Sequence, residues 1–359
     1  MVVLIAVLHT VLFAVLLANL AHLRRHRTVR LGRGTRPTPG ARPRVSVIIP
    51  ARNEEANLRR LLPSLLSQRY PAFEVIVYDD ASDDGTPGVL RSFAGDERLT
   101  LLRGEGPPPG WVGKVYALEQ AARHARGDRL LFLDADAELA DPEALERLVA
   151  RYEALPGDAV LTGLTHLRGG GALLVSLVPN AILAGLPWPL ARRLRRPVLG
   201  AVNGQCWMID TATYRRLEPH RHVRAEVLED VMIGRYLLAH GRVPTLVDVQ
   251  DEVRVYMYAG LAEAWRGFRK NAYLIMGGTP FRFLATFTAF VLAYVAAPFV
   301  SPWFLLSVYL LKRITDRQTG FPPWVSLLAP LSFTLGALLQ ADSFASHLMG
   351  RVTWKGRNV

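Results

Sequence analysis

RLLFLDADAEL, residues 129–139, decides the fold. Its first half is an apolar run of strand length, and it ends in two acids separated by one alanine. Burying an unpaired carboxylate costs several kcal/mol, so Asp134 and Asp136 must emerge where solvent or a cation compensates them. That places them at the end of a strand rather than inside one. Other runs of the same kind are VSVII (45–49), FEVIVY (73–78) and LTLL (99–102). Helical patterns separate them. Leu58, Leu61, Leu62, Leu65 and Leu66 fall at i, i+3, i+4, i+7 and i+8, which makes one apolar face; Pro63 within it is expected to bend or restart the helix. In residues 141–153, DPEALERLVARYE, Asp141 reads as an N-cap, Pro142 as a first-turn residue, and Leu145, Leu148 and Val149 as the buried stripe. Strands alternating with helices imply an α/β fold with a mostly parallel sheet covered on both faces. Ligands of such sheets bind beyond the carboxyl ends of the strands. Three polar clusters sit at those ends: PARNEE (50–55), DDASDDGT (79–86) and the Asp134–Asp136 pair. Asp83 and Asp84, beside a Gly-Thr pair, read as turn residues.

The rest of the chain bounds where such a unit works. Of 359 residues half are hydrophobic, and the formal charge is +12. Only four of the 43 basic residues are lysines and the arginines are scattered, so the charge is not the footprint of a nucleic-acid binder, and no nucleic-acid partner is expected. A single cysteine, Cys206, excludes an intrachain disulfide and a Cys-rich metal site. Residues 1–23 hold no acid and no strong base over a length that spans a bilayer. A signal peptide carries its positive charge before the apolar run, whereas here the arginines follow it, so residues 1–23 read as a retained anchor. Between Arg24 and Arg44 stand eight arginines and no acid. Residues 24–42 therefore read as a basic juxtamembrane linker, which by the positive-inside rule places the linker and the soluble part after it in the cytoplasm, on a multi-pass protein of the inner cell membrane.

Residues 43–280 are expected as the α/β domain, 281–343 as membrane segments and 344–359 as a basic tail. The apolar stretch 283–311 is long for one span and short for two; Pro298 and Pro302 should kink or break it, and a second stretch follows at 323–339. The number of passes stays open. His220, His222 and His240 read as solvated surface residues.

Two carboxylates at i and i+2, released by a strand end, can meet a hard divalent cation that a diphosphate also holds. Mg²⁺ and Mn²⁺ take oxygen ligands and leave several positions to phosphate and water. The stretch VLEDVMIGRYL (227–237) adds Glu229 and Asp230 at a helix start, where the dipole favours acids.

In this order, VSVIIPARNEE, VIVYDDASDDGT, GWVGKVYAL and LLFLDADAEL resemble the family 2 glycosyltransferases over roughly residues 43–280. Within that family the chain is most similar to membrane-anchored enzymes that glycosylate lipids such as carotenoids and hopanoids, an impression to which the closing TWKGR adds. The resemblance implies a GT-A fold, Rossmann-like, and a nucleotide-diphosphate sugar donor, UDP-linked, with Mg²⁺ or Mn²⁺ as cofactor. Asp79 and Asp80 are then expected at the uracil or ribose, and Pro50, Arg52, Asn53 and Glu54 around the nucleotide. Lys114 is expected at the diphosphate or sugar, Asp136 at the metal, and Asp134 at the ribose or, through water, the metal. Asp230 becomes the general base of an inverting transfer, with Glu229 beside it. Trp111, Asn203, Gly204 and Gln205 would shape the acceptor side. Arg266 and Arg269 would neutralise the diphosphate; Lys270 stands where relatives carry Trp, which weakens an assignment to processive polysaccharide synthases. Trp265 and Phe268, with those arginines, would also suit an amphipathic helix on the membrane surface. The expected function is transfer of a sugar to a hydroxyl of a membrane lipid. The alternatives are a polysaccharide synthase, a polyprenyl-phosphate glycosyltransferase, or a nucleotide-binding adaptor without catalysis.

Overall fold

In the computed structural model, which describes residues 1–27, 42–354 and 357–358, the β-branched runs are strands. Most of the basic linker and part of the closing TWKGR lie outside the described residues. The strands β1 (Val45–Ala51), β2 (Phe73–Asp80), β3 (Leu99–Gly104), β4 (Arg129–Leu133), β5 (Ala159–Leu164), β6 (Cys206–Asp210) and β7 (Val243–Asp248) form one sheet of order β3-β2-β1-β4-β6-β5-β7. Neighbours β1–β2, β2–β3, β1–β4 and β5–β7 are parallel. Strand β6 runs antiparallel to both β4 and β5. The order reverses between β1 and β4, so a crevice opens at their carboxyl ends, where PARNEE and Asp134–Asp136 emerge.

The chain divides into two compact units. The α/β unit comprises His22–His166 and Trp188–Tyr256. Its helices include α1 (Glu55–Leu66), α2 (Gly113–Arg123), α3 (Ala144–Glu153) and α4 (Glu229–Ala239). Helix α1 buries Leu58, Leu61, Leu62 and Leu65 as expected, but it runs unbroken through Pro63. The proline costs one backbone hydrogen bond near the end of the helix, and Ser67 N still donates to Pro63 O at 3.0 Å to close the last turn. Ahead of α3, Asp141 accepts from Glu143 N at 3.0 Å, so its capping bond organises a turn and the helix proper starts at Ala144. The core stacks Phe132 on Trp207, ring centroids 4.1 Å apart, between β4 and β6.

The helical unit comprises Met1–Ala21, Leu167–Pro187 and the residues from Met257 onward. The domain boundaries therefore differ from the expected 43–280: the chain leaves the α/β unit at Leu167, returns at Trp188 and leaves again at Met257. In the helical unit Asn19 Nδ2 donates to the carbonyls of Leu183 and Leu186, both at 2.8 Å. A buried Lys312–Asp316 ion pair is completed by Ser176 on the lysine and Ser326 on the aspartate, each at 2.8 Å. Charges this deep persist only when paired and hydrogen-bonded, as these are.

Three helices among the described residues are long and apolar enough to cross a membrane: Val2–His26, Ala172–Leu194 and Pro280–Val300. The first was expected; the second was not, because it lies inside the stretch read as the α/β domain. Of the stretch 283–311, helix continues past Pro298 through a π-helical turn over Val291–Ala296 and breaks at Ser301, before Pro302 opens the next helix. Residues 323–339 fall in two helices, Pro323–Leu327 and Ala329–Leu348, neither of them among the three.

Candidate active site

Strand β4 delivers Asp134 at its carboxyl end, and the neighbouring strand β6 runs the other way. The residues that lead into β6, Asn203-Gly204-Gln205, therefore arrive at that same end. Asp134 N donates to Gln205 O at 3.4 Å. The turn is held by its own amides and by β5: Asn203 N donates to Thr162 Oγ1 at 2.7 Å, Asn203 Nδ2 to Gly163 O at 2.8 Å, and Thr165 Oγ1 to Gln205 Oε1 at 2.7 Å. Thr162 and Thr165 had no sequence signal, since a threonine in or after a strand is ordinary.

Helices α2 and α4 bring the remaining groups with their first turns. Lys114 Nζ lies 2.7 Å from Asp134 and 2.9 Å from Glu229, bridging two carboxylates that are 95 positions apart in the chain. Burial works against the lysine's charge, but the two carboxylates outweigh it and hold Lys114 well above the usual lysine value. Burial also raises Asp134, with Lys114 pulling the other way and Glu229 and Glu54 adding to the rise. Asp230 accepts from Val231 N at 2.8 Å and from Gly204 N at 3.4 Å, and Val202 N donates to its carbonyl at 3.2 Å. Burial and then the Glu229 charge push Asp230 up from 3.8 to about 6, against Lys114. A carboxylate tuned to that value accepts protons near neutrality, which suits a general base.

Across the switch point, the loops after β1 and β2 brace each other. Arg52 donates to the carbonyls of Asp80 and Ala81, at 2.6 and 3.1 Å. Asn53, in the left-handed region at φ 53°, donates its N–H to Ser82 Oγ at 2.9 Å and accepts from Asp83 N at 3.0 Å. Glu54 N donates to Thr86 Oγ1 at 2.8 Å, and Asp79 accepts from Ser82 N at 3.1 Å. Asp79 and Asp80 are buried, Pro50 half-buried at the end of β1. Asn53, Glu54 and Asp84 line a shallow concavity of about 370 Å³. Arg52 is thus a loop tie, a task its family role did not announce.

The structure brings Lys114, Asp134, Glu229, Asp230 and the Asn203–Gln205 turn together, with Glu54 near enough to act on Asp134. Asp136 follows two residues on, its carbonyl accepting from Tyr256 N at 2.9 Å. Trp111 packs against the core, its ring edge-on to Tyr116 at 5.5 Å. Arg266 and Arg269 belong to the helical unit, on the helix Leu261–Ile275, and the contacts above are made without them. Trp265 and Phe268 on that helix are half-buried: Trp265 Nε1 donates to Asp342 at 2.7 Å and Phe268 meets Tyr258 edge-on at 5.1 Å.

His220 corrects the sequence reading. His222 and His240 are exposed, but His220 is fully buried against Phe132 and Trp207. Tyr214 gives its one proton to Glu119, at 3.2 Å, so its oxygen accepts from His220 Nδ1 at 2.8 Å. Burial pushes the imidazole down to about 3. A histidine flanked by Pro219 and Arg221 carried no apolar pattern to reveal this.

Among the described residues no group of three or more His, Cys, Asp or Glu side chains converges as a self-sufficient metal site. Asp134 at this strand end is engaged by Lys114, and the Asp136 carboxylate stands two residues further on. One hard oxygen ligand from the protein, the rest coming from phosphate and water, fits Mg²⁺ or Mn²⁺ and fits no soft metal.

A doubly wound sheet with carboxylates gathered at the ends of its central strands, one of them raised to about 6, is a frame that suits group transfer. Residues 46–216 match the Glycosyl transferase family 2 model, so the chain carries a family 2 glycosyltransferase domain. A 4,4'-diaponeurosporenoate glycosyltransferase of Staphylococcus aureus (strain bovine RF122 / ET3-1) is 26% identical over 339 residues, covering 87% of each chain. Its namesake from Staphylococcus haemolyticus is 42% identical over 108 residues, 30% of this chain and 28% of that one. A mannosyltransferase of Pyrobaculum calidifontis, solved with GDP-Man and Mn²⁺, shares the fold at a TM-score of 0.53 and 21% identity, covering 96% of this chain and 98% of the other. The fold is GT-A-like.

Proposed function

We propose that this glycosyltransferase moves a sugar, with inversion, from a UDP-linked donor to an oxygen of a carotenoid-type membrane lipid. The observation that carries the reading is the assembly of Asp230 with Gly204 on one side and Lys114, Asp134 and Glu229 on the other. It supplies a base and a cationic group at one end of one sheet. The relatives' printed activity supports the carotenoid acceptor, and the three apolar helices support a multi-pass membrane protein whose α/β unit faces the cytoplasm.

The braced loops at Arg52–Glu54 and Asp79–Thr86 hold the nucleotide, with Asp79 and Asp80 toward uracil and ribose and Pro50 beside them. Lys114 orients the diphosphate end of the donor. Asp136 would hold a Mg²⁺ or Mn²⁺ ion, with Asp134 in reach through water; when bound, the ion supplies charge stabilisation to the departing diphosphate. Asp230 takes the proton of an acceptor hydroxyl as its oxygen attacks the sugar, and Asn203, Gly204 and Gln205 shape the acceptor's approach, with Trp111 behind Lys114. An acceptor carboxylate, as in the relatives' substrate name, is already ionised at neutral pH and needs no such base.

The test is transfer by the purified full chain in lipid vesicles, with UDP- and GDP-sugars and with carotenoids ending in a hydroxyl or a carboxylate. A glycosylated carotenoid should form with a UDP-sugar, and Asp136→Ala should lose it without change in melting temperature. Full activity of Asp136→Ala would overturn the site. Activity that survives Asp230→Asn only on the carboxylate acceptor would confirm the base and identify its substrate.

A further inference from the structure

Where the chain re-enters the α/β unit it reads WPLARRLRRPVL, residues 188–199. A helix over Trp188–Leu194 is followed by a 3-10 turn over Pro197–Leu199. Leu190, Leu194 and Val198 are 40%, 52% and 67% exposed, three large apolar side chains at a spacing of four. Arg193 and Arg196 are exposed beside them, and among the described residues neither has a hydrogen bond or ion pair. The other two arginines do the opposite. Arg192 and Arg195 grip Asp158 at 3.0 and 2.7 Å, fixing the segment to the sheet just ahead of β5. Arg195 sits in the left-handed region at φ 48°, a conformation an arginine holds only when its surroundings impose it. The segment is therefore built into one shape while its apolar and cationic groups stay turned to the outside.

Exposed leucine and valine interleaved with unpaired arginine suit an anionic lipid surface: the apolar groups enter the acyl boundary and the guanidinium groups meet phosphate. The first part of this segment is itself the end of the apolar helix Ala172–Leu194, which continues into the 3-10 turn. From its other end the chain runs to the acceptor side. A side chain on Gly200 would come within 2.4 Å of Gly234 O, so the backbone packs directly onto α4, the helix that starts with Glu229 and Asp230. Asn203–Gln205 follow at once.

We propose that residues 188–199 dock the α/β unit onto anionic phospholipid headgroups, setting the Asn203–Gln205 turn at the depth where a lipid acceptor's polar end lies. This is independent of which sugar or lipid is used.

The experiment uses the full chain carrying Val198→Cys. Native Cys206 is buried and its thiol pushed up by burial, so a bimane label reports position 198 alone. The labelled protein is reconstituted in phosphatidylcholine vesicles with and without phosphatidylglycerol, and quenching by shallow spin-labelled lipid is compared with quenching by aqueous iodide. Glu97→Cys, an exposed position ahead of β3, is the reference. Position 198 should be quenched by the lipid and shielded from iodide in the anionic vesicles, and position 97 the reverse. Adding Arg193→Gln and Arg196→Gln should lower the docked-to-undocked ratio about thirtyfold, at roughly a factor of five per arginine. Quenching at 198 equal to that at 97, or indifferent to phosphatidylglycerol and to the arginines, would overturn the proposal. The readout needs no turnover, so it stands apart from the glycosyltransferase assay, and flotation with neutral vesicles reports the apolar helices separately.

Discussion

Asp230 and Lys114 are set against stability in opposite ways. The native chain keeps a proton on Asp230 that the unfolded chain has lost, over the window from 3.8 to about 6, so this group's contribution to stability is greatest in acid and falls as pH rises through that window. Asp230→Asn should therefore stabilise the protein by roughly 1–2 kcal/mol, allowing for its partial exposure, and be read as a higher melting temperature at pH 7. The same change should lower transfer to a hydroxyl acceptor by about 10²–10⁴-fold, and the wild-type rate should fall on the acid side of about pH 6. Lys114→Met has the reverse signature. It leaves Asp134 and Glu229 facing each other without their cation, which should cost roughly 3 kcal/mol in urea unfolding, and adding Glu229→Gln should recover part of it.

Helix α4 carries both acids, and its position is fixed by a glycine. A Cβ on Gly234 would lie 2.2 Å from the backbone of Ala201, so Gly234→Ala must push the helix away from the turn that contacts Asp230. Its destabilisation should reach about 1–3 kcal/mol, with a drop in kcat larger than that loss of folded protein explains. Sequence periodicity reached most elements but not their directions. VSVII, FEVIVY and RLLFL announced strands whose ends carry acids, and all three are neighbouring strands of the sheet. Nothing local in CWMID records that it runs antiparallel, which is the fact that joins Asn203–Gln205 to Asp134. His220 and the helix from Ala172 escaped for a related reason. Each depends on what packs around it, His220 among Phe132, Trp207 and Tyr214, and the helix through a break in the α/β unit that no composition shift marks. Lys114 stood out from its motif, but its two partners came only from the fold.

At the scale of the molecule, an α/β unit is interrupted in sequence by one apolar helix and preceded and followed by two others. Alkaline carbonate should leave the protein in the membrane pellet, and only detergent should release it. Extraction by carbonate alone would mean that none of Val2–His26, Ala172–Leu194 and Pro280–Val300 crosses the bilayer. The reversed strand β6 has a further consequence for how such enzymes diversify. The loops we propose for the donor all precede residue 140, while the turn proposed for the acceptor follows residue 200 and reaches the sheet from the opposite direction. Two preferences are thus written in separate lengths of gene. A chimaera joined near the start of β5 should inherit its sugar from one parent and its lipid from the other.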